Sequence, residues 1–356
     1  MKKIAIIGAG PAGLSSSIHL AQSKKNFCIH IFEKDVIGEN IICAEGFFDF
    51  FNKINIDLPE KMKAKKIILS YTEKIEINLP IHSNFLTFSR RLWQKKLAQM
   101  ANSMGVQILE KTKIRKSDII KMDSEYDYIL DCSGFYGITH TFFPKKDVTL
   151  YRKGLVPAVQ YQVEGDFSHL GEALYAKVFD NPPGYFWLFP KKEQNKINKA
   201  NMGLGILVKD NNIGNLKNRL DNILNTEFPD YKIIKYSASP IPTKRLKNYR
   251  QNKIILLGDA LGLCSPLHGG GIDSAYLSGY YVAQSILNND FSYYENFLKE
   301  IDKRFIKERF ILKLWKHFGS QWILKRLKNK GLFSDDLKLH PFSGNWLNKA
   351  IFKLFF

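Results

Sequence analysis

The chain has 356 residues, 45% of them apolar, enough to bury a sizeable core in one large domain or two intimately joined ones. Its four cysteines, Cys28, Cys43, Cys132 and Cys264, form no Cys-x-x-Cys pair, so neither a metal site nor a disulfide framework is expected and a cytoplasmic setting is the natural one. A net charge of +19 comes with no nucleic-acid-binding module, and no apolar run approaches the roughly eighteen residues of a membrane-spanning helix.

In chain order, Ile4 to Ile7 reads as a short buried strand that runs into Gly8-Ala-Gly-Pro-Ala-Gly13 and then a helix from Leu14 to Gln22. This is a dinucleotide fingerprint: Gly8 for the tight turn, Gly10 for backbone approach to a pyrophosphate, and Gly13 for helix–sheet packing. The next strand, Cys28 to Glu33, ends on an acid about twenty residues after the last glycine, where a carboxylate accepts a ribose hydroxyl. A small turn follows at Cys43-Ala-Glu-Gly46. Strand-like runs at Ile67 to Tyr71 and Ile75 to Leu79 come before a helix that spans Ser89 to Met104 and carries Arg90 and Trp93. Tyr126 to Asp131 reads as a buried strand of the same nucleotide-binding sheet, leading to a turn at Ser133-Gly134.

The middle of the chain is rich in strands, at Val156 to Val163, Glu172 to Phe179 and Asn201 to Val208. Between them lies Pro182-Pro-Gly-Tyr185-Phe-Trp187-Leu-Phe189-Pro190. Period-two alternation puts Tyr185, Trp187 and Phe189 on one face, either filling a core or walling an apolar cavity. Lys253 to Leu257 is a further buried strand. It enters Gly258-Asp-Ala-Leu-Gly262 and then Gly269-Gly-Gly-Ile272, which opens a helix to about Leu287. A second glycine-led helix start is more than a simple nicotinamide dehydrogenase needs, and it points to the longer FAD. Lys303 to Lys330 holds ten Lys or Arg against one acid, Glu308, interleaved with Phe305, Phe310, Trp315, Phe318 and Trp322. Such a helix either lies on an anionic membrane surface or packs on the protein with a solvated basic back.

The expected fold is α/β. A discontinuous Rossmann-type FAD-binding domain (1–58, 85–146 and 250–290) is interleaved with an antiparallel-sheet substrate domain (59–84 and 147–249), and a basic helical C-terminal region follows (291–356). The ordered set of the first glycine motif, Cys43-x-Glu-Gly46, Arg90-x-x-Trp93, Tyr185-x-Trp187-x-Phe189-Pro190, Gly258-Asp-Ala and Pro266-x-x-Gly-Gly-Gly-Ile272 resembles the geranylgeranyl reductase family over roughly residues 1 to 310. The resemblance implies an FAD enzyme that saturates isolated double bonds in a long-chain isoprenoid or lipid.

By that resemblance, Gly8, Gly10 and Gly13 hold the pyrophosphate and Glu33 the ribose. Cys43 and Gly46 lie beside the flavin, Arg90 and Asp259 contact the cofactor, and Gly271 and Ile272 meet the isoalloxazine. Tyr185, Trp187 and Phe189 line the prenyl tunnel. Proximity to these motifs makes Cys43, Glu45 and His268 candidate proton sources, although Glu45 also reads as a turn acid and His268 as a helix-entry residue. Asp131-Cys-Ser-Gly134 lacks the aspartate directly before glycine with which related hydroxylases read reduced nicotinamide. The electron donor therefore stays open among NAD(P)H, ferredoxin or another. Ala44 stands where the family often has glycine. The expected location is cytoplasmic, with peripheral contact at the inner face of the membrane open; a flavin monooxygenase or halogenase-like enzyme, and a non-catalytic flavin-binding membrane-associated protein, are the rival readings.

Overall fold

A computed structural model describes residues 1–330 except 24, 73–74, 81–84, 195, 208–214 and 229. Val208 and the 331–356 part of the C-terminal region lie outside the described residues. β1 (Lys2–Ile7) leads through the glycine turn into α1 (Pro11–Gln22) and β2 (Phe27–Phe32). Short strands β3 (Gly46–Phe48) and β4 (Met62–Lys63), then β5 (Lys66–Thr72), β6 (Ile75–Pro80) and β7 (Phe85–Thr87), precede α2 (Arg90–Ser103), β8 (Gln107–Leu109), α3 (Lys116–Glu125) and β9 (Tyr128–Asp131). α4 (Lys145–Arg152) opens the strand-rich middle: β10 (Leu155–Glu164), β11 (Ala173–Phe179), β12 (Gly184–Glu193), β13 (Lys196–Ile206), α5 (Leu216–Glu227) and β14 (Lys232–Pro242). β15 (Arg250–Gln251), β16 (Ile254–Leu256), α6 (Ile272–Asn288) and α7 (Ser292–Lys330) complete the order.

Among the described residues, one sheet has the order β15-β16-β9-β1-β2-β8, parallel except at the β15 edge. Residues of α1 and α6 share one core with its central strands, where Ile4, Ile6, Ile129 and Leu256 are fully buried. The second sheet has the order β14-β10-β13-β12-β11-β5-β6. Its expected antiparallel pattern is broken once, because β5 and β11 pair in parallel. β5 comes from a distant part of the chain, between β4 and β6. α5 packs Leu216, Leu220 and Leu224 on one side of this sheet.

The two sheets are stitched together rather than merely adjacent. β3, β7 and β4 form a small antiparallel sheet from segments assigned on sequence to both domains. Val148 and Tyr151 of α4, assigned on sequence to the substrate domain, belong to the nucleotide-side core. The first part of α7 also joins that core through Phe297, Leu298, Ile301 and Phe305. Of these, Phe305 lies in the basic run from Lys303 to Lys330.

Candidate functional site

The ends of β1, β2 and β9 and the starts of α1, α2 and α6 converge on one cavity of about 1480 Å³. That exceeds the roughly 300–1,000 Å³ usual for a site holding one small molecule. The polar end is built around the first glycine turn. Gly8 has φ +102°, and a Cβ there would stand 2.4 Å from the Cys132 carbonyl oxygen; a Cβ on Gly13 would stand 2.0 Å from the Gly8 carbonyl oxygen. At Gly10, by contrast, the nearest atom to an added Cβ is Arg90 Nη2 at 3.9 Å, so the turn opens towards the cavity. α1 begins there with no side-chain cap and no acid in its first turn, leaving amides and the helix dipole free for an anion.

Charged and polar side chains complete this end. Glu33 accepts from the Ala9 N–H (2.7 Å) and the Asp35 N–H (3.0 Å), which fixes its carboxylate beside the turn. Arg90, the first residue of α2 behind its Ser89 cap, lines the cavity with its buried Nε unpartnered. Gln94, one helical turn further on, donates to the Ala9 carbonyl (2.9 Å) and leaves its Oε1 unpartnered. Sequence reading missed Gln94, although its spacing four residues after Arg90 puts both on one helix face. A backbone turn in which Gly8 and Gly13 tolerate no Cβ while Gly10 opens to the cavity, an uncapped helix start and an unpaired guanidinium nitrogen fit the pyrophosphate of FAD.

The second glycine set stands opposite. Gly271 caps α6 with no side chain, and an added Cβ would lie 2.7 Å from Cys264 Sγ and 3.5 Å from Asp259 Oδ1. The Cys264 thiol donates to Asp259 Oδ1 (3.2 Å). Burial raises the Asp259 pKa, with the Cys264 hydrogen bond and the Arg90 charge pulling the other way. Ile272, the first residue of α6, lines the cavity beside Gly271.

The three candidate proton sources separate once their partners are seen. Cys43 is half-buried on the cavity wall, where it accepts from the Glu45 N–H (3.3 Å) while its carbonyl accepts from Gln160 Nε2 (2.9 Å). Glu45 does not line the cavity. It sits at φ +58°, 4% exposed, and its carboxylate pairs with Lys191 and accepts from the Arg90 N–H (2.8 Å) and Asn201 Nδ2 (3.1 Å). A carboxylate so committed ties the turn to α2 and to the substrate sheet.

His268 lines the cavity, but its ring is held in the neutral form. Arg304 Nη2 approaches Nε2 at 2.9 Å, and a guanidinium can only donate. The Gly270 N–H stands 3.2 Å from Nδ1, and Glu308 Oε1 lies 3.8 Å from Nε2. Burial, foremost, and the Arg304 charge lower the His268 pKa against the pull of Glu308 and Asp273. The side chain is 40% exposed, and that exposure is to the cavity it lines.

Arg304 itself was not singled out on sequence. It is 3% exposed, donates through Nε to Glu308 (2.7 Å) and through Nη1 to Asp273 (3.0 Å), and stacks on Phe50 at 4.4 Å. Ser265 Oγ donates to the other oxygen of Glu308 (2.6 Å). The signal was the single acid in a basic helix, four residues after an arginine on the same face.

The apolar end is formed by Tyr185, Trp187 and Phe189 on one face of β12, as alternation predicts, together with Leu69, Ala176 and α7 from Phe310 onward. The Phe189 ring lies against Gly46, where a Cβ would be 2.7 Å away. The Trp187 indole covers Gly203, where a Cβ would be 2.1 Å from the ring. The Tyr185 hydroxyl donates to the His268 carbonyl (2.6 Å), joining the aromatic strand to the second glycine loop. Asp131 is wholly buried and takes bonds from the backbone and side chains of Ser133 and Thr139, a structural use. Among the described residues there is no candidate metal cluster and no helix long and apolar enough to cross a membrane.

Residues 157–240 match the family model of the geranylgeranyl reductase catalytic domain, and residues 209–288 match a model of an FAD-binding domain. The chain is 26% identical over 326 residues to digeranylgeranylglycerophospholipid reductase of Methanosarcina acetivorans, covering 81% of this chain and 77% of that one. It is 27% identical over 373 residues to the protein of the same name from Thermoplasma acidophilum, covering 94% and 88%. The crystal structure of a geranylgeranyl bacteriochlorophyll reductase-like protein from Thermoplasma acidophilum superimposes with TM-score 0.78 at 20% identity, covering 98% and 97%. The flavin-dependent halogenase CmlS superimposes with TM-score 0.63 at 15% identity, covering 86% and 63%, which is a likeness of fold.

Proposed function

We propose that this chain, a geranylgeranyl reductase-like FAD-dependent oxidoreductase, saturates isolated carbon–carbon double bonds in the polyprenyl chain of a lipid. The observation that carries the reading is the single cavity, which joins a dinucleotide-shaped polar end to a long apolar wall. Reduced FAD, when bound, supplies a hydride equivalent to one alkene carbon. The residues of this chain have the remaining tasks of holding the alkene, excluding water and delivering a proton to the other carbon.

In this reading Gly8, Gly10, Gly13, Glu33, Arg90 and Asp259 hold the cofactor, with Cys43, Gly46, Gly271 and Ile272 around its reactive ring. Tyr185, Trp187 and Phe189 seat the chain at little conformational cost, because aromatic rings have few rotors to freeze. Cys43 is the proton source that geometry favours, since Glu45 is ion-paired away from the cavity and His268 is held neutral under Arg304. Its sulfur accepts from the Glu45 amide, which leaves the S–H available to the cavity. Exposed Phe318, Lys313 and Lys316 are the part of the basic helix that a membrane surface would meet.

The test is anaerobic. Dithionite-reduced holoenzyme is mixed with a geranylgeranyl lipid, and flavin absorbance and product mass are followed. Flavin reoxidation with a gain of two hydrogens per bond is the expected result. Reoxidation only after oxygen is admitted would sink the reading in favour of an oxygenase.

A further inference from the structure

Helix α7 is broken at Gly319, whose φ of 78° and ψ of 168° lie in a region open essentially only to glycine. The break is tied to the substrate sheet by one carboxylate. Asp180, on the turn between β11 and β12, accepts through Oδ1 from the Ser320 N–H (2.8 Å), Ser320 Oγ (2.8 Å) and Trp315 Nε1 (3.1 Å). Its other oxygen lies 3.3 Å from where a Cβ on Gly319 would stand. Trp315 Nε1 also donates to Ser320 Oγ (2.8 Å), which closes the cluster across the break.

The helix lines the cavity on both sides of the break. Ser320, Trp322 and Leu324 line it, and Leu324, 1% exposed, packs on Leu69 of β5 and Ala176 of β11. The cavity crosses the strands of the sheet. Ser237 and Ser239 of β14 line it at one edge, near the second glycine loop, where a Cβ on Gly269 would be 3.1 Å from Ile241. Leu69 of β5 lines it five strand positions away. At roughly 4.8 Å per strand that is a reach of about 24 Å, closed at the far end by the segment that Asp180 holds.

We propose that Asp180 is a positioning residue that fixes the far wall of the apolar cavity, and thereby sets the longest polyprenyl chain this site accepts. The inference rests on the function proposed above. It assigns the limit to the helix break because Leu324, beyond Gly319, packs on Leu69 of β5 and Ala176 of β11, with Tyr185 of the aromatic strand against the same cluster.

The test is titration calorimetry on the full-length holoprotein with a ladder of prenols: geraniol, farnesol, geranylgeraniol and geranylfarnesol. The unsubstituted protein should gain affinity with each isoprene unit up to a limiting length. Asp180→Ala should move that limit to the next longer prenol, with about a tenfold gain for it, the usual worth of admitting a little more hydrocarbon to a pocket. Asp180→Asn keeps an acceptor oxygen for Ser320 and Trp315 and should restore the original limit. An unchanged limit in Asp180→Ala would overturn the proposal and leave the proposed function standing. Failure of the unsubstituted protein to bind any prenol would overturn the function itself, and the proposal with it. Should Asp180→Ala not fold, Ser320→Ala takes its place, with a smaller shift in the same direction expected and no shift counting against the proposal.

Discussion

Glu45 and Lys191 meet in an ion pair buried between the Cys43–Gly46 turn and the end of β12, their side chains 5% and 16% exposed. The same carboxylate also receives the first N–H of α2, so one charge ties the cofactor-side helix and the substrate sheet to the turn that carries Cys43. Removing Lys191 leaves that charge buried without its cation. Lys191→Met should lose about 3 kcal/mol of stability, whereas Glu45→Gln, which keeps an acceptor for the α2 amide, should lose about 1 kcal/mol. Urea titrations of the two variants check the order; equal losses would mean that the pair is not buried in solution.

The two ends of the first glycine turn should respond differently to one methyl group. Gly8→Ala places a Cβ against the Cys132 carbonyl at positive φ and should prevent correct folding of the turn. Gly10 has φ −76° and open space, so Gly10→Ala should fold with an unchanged apoprotein melting temperature. It should nonetheless bind FAD at least about tenfold more weakly, because the methyl occupies the approach to the pyrophosphate. Flavin content after reconstitution, set beside the apoprotein melt, separates the two; full flavin loading of Gly10→Ala would place the pyrophosphate elsewhere.

Arg304 holds two buried carboxylates at once, Asp273 at the start of α6 and Glu308 on its own helix. Arg304→Met should cost about 4 kcal/mol, since both acids lose their cation in a dry setting. It should also speed FAD release, because Asp273 belongs to the first turn of the helix that opens at Gly271. Flavin fluorescence recovery on dilution measures the release, and a rate equal to the unsubstituted protein would separate the network from cofactor retention.

The His268 pKa is lowered, chiefly by burial, so the folded protein binds fewer protons than the unfolded chain as pH falls through the ordinary histidine value of 6.5. Stability that is present above that value should therefore decline below it. His268→Gln, which cannot take up the proton, should show a flatter profile between about pH 7 and pH 5. Thermal melts across that range decide it. Parallel profiles would mean that His268 charges freely, which would return it to the list of proton donors.

Local sequence determined the nucleotide-binding half. The strand–glycine–helix units at Gly8 and Gly271, the acid at Glu33 and the aromatic face of β12 are patterns of neighbours, fixed by backbone sterics and by the two-residue period of a strand. The structure brings them to one cavity as their spacing implies. Only the tertiary structure decided what the charged residues of the site do. Glu45 reads as an acid beside the flavin until Lys191, 146 residues away, neutralises it. His268 reads on sequence as either a proton donor or a helix-entry residue, and only the fold puts Arg304, 36 residues on, against its ring. The basic C-terminal run fits either a membrane surface or a packed helix by sequence, and only the fold turns Arg304 and Glu308 inward and lines the cavity with residues between Phe310 and Leu324. A side chain's protonation and role follow from the charges and water around it, and those are set by segments remote in the chain, which no local pattern encodes.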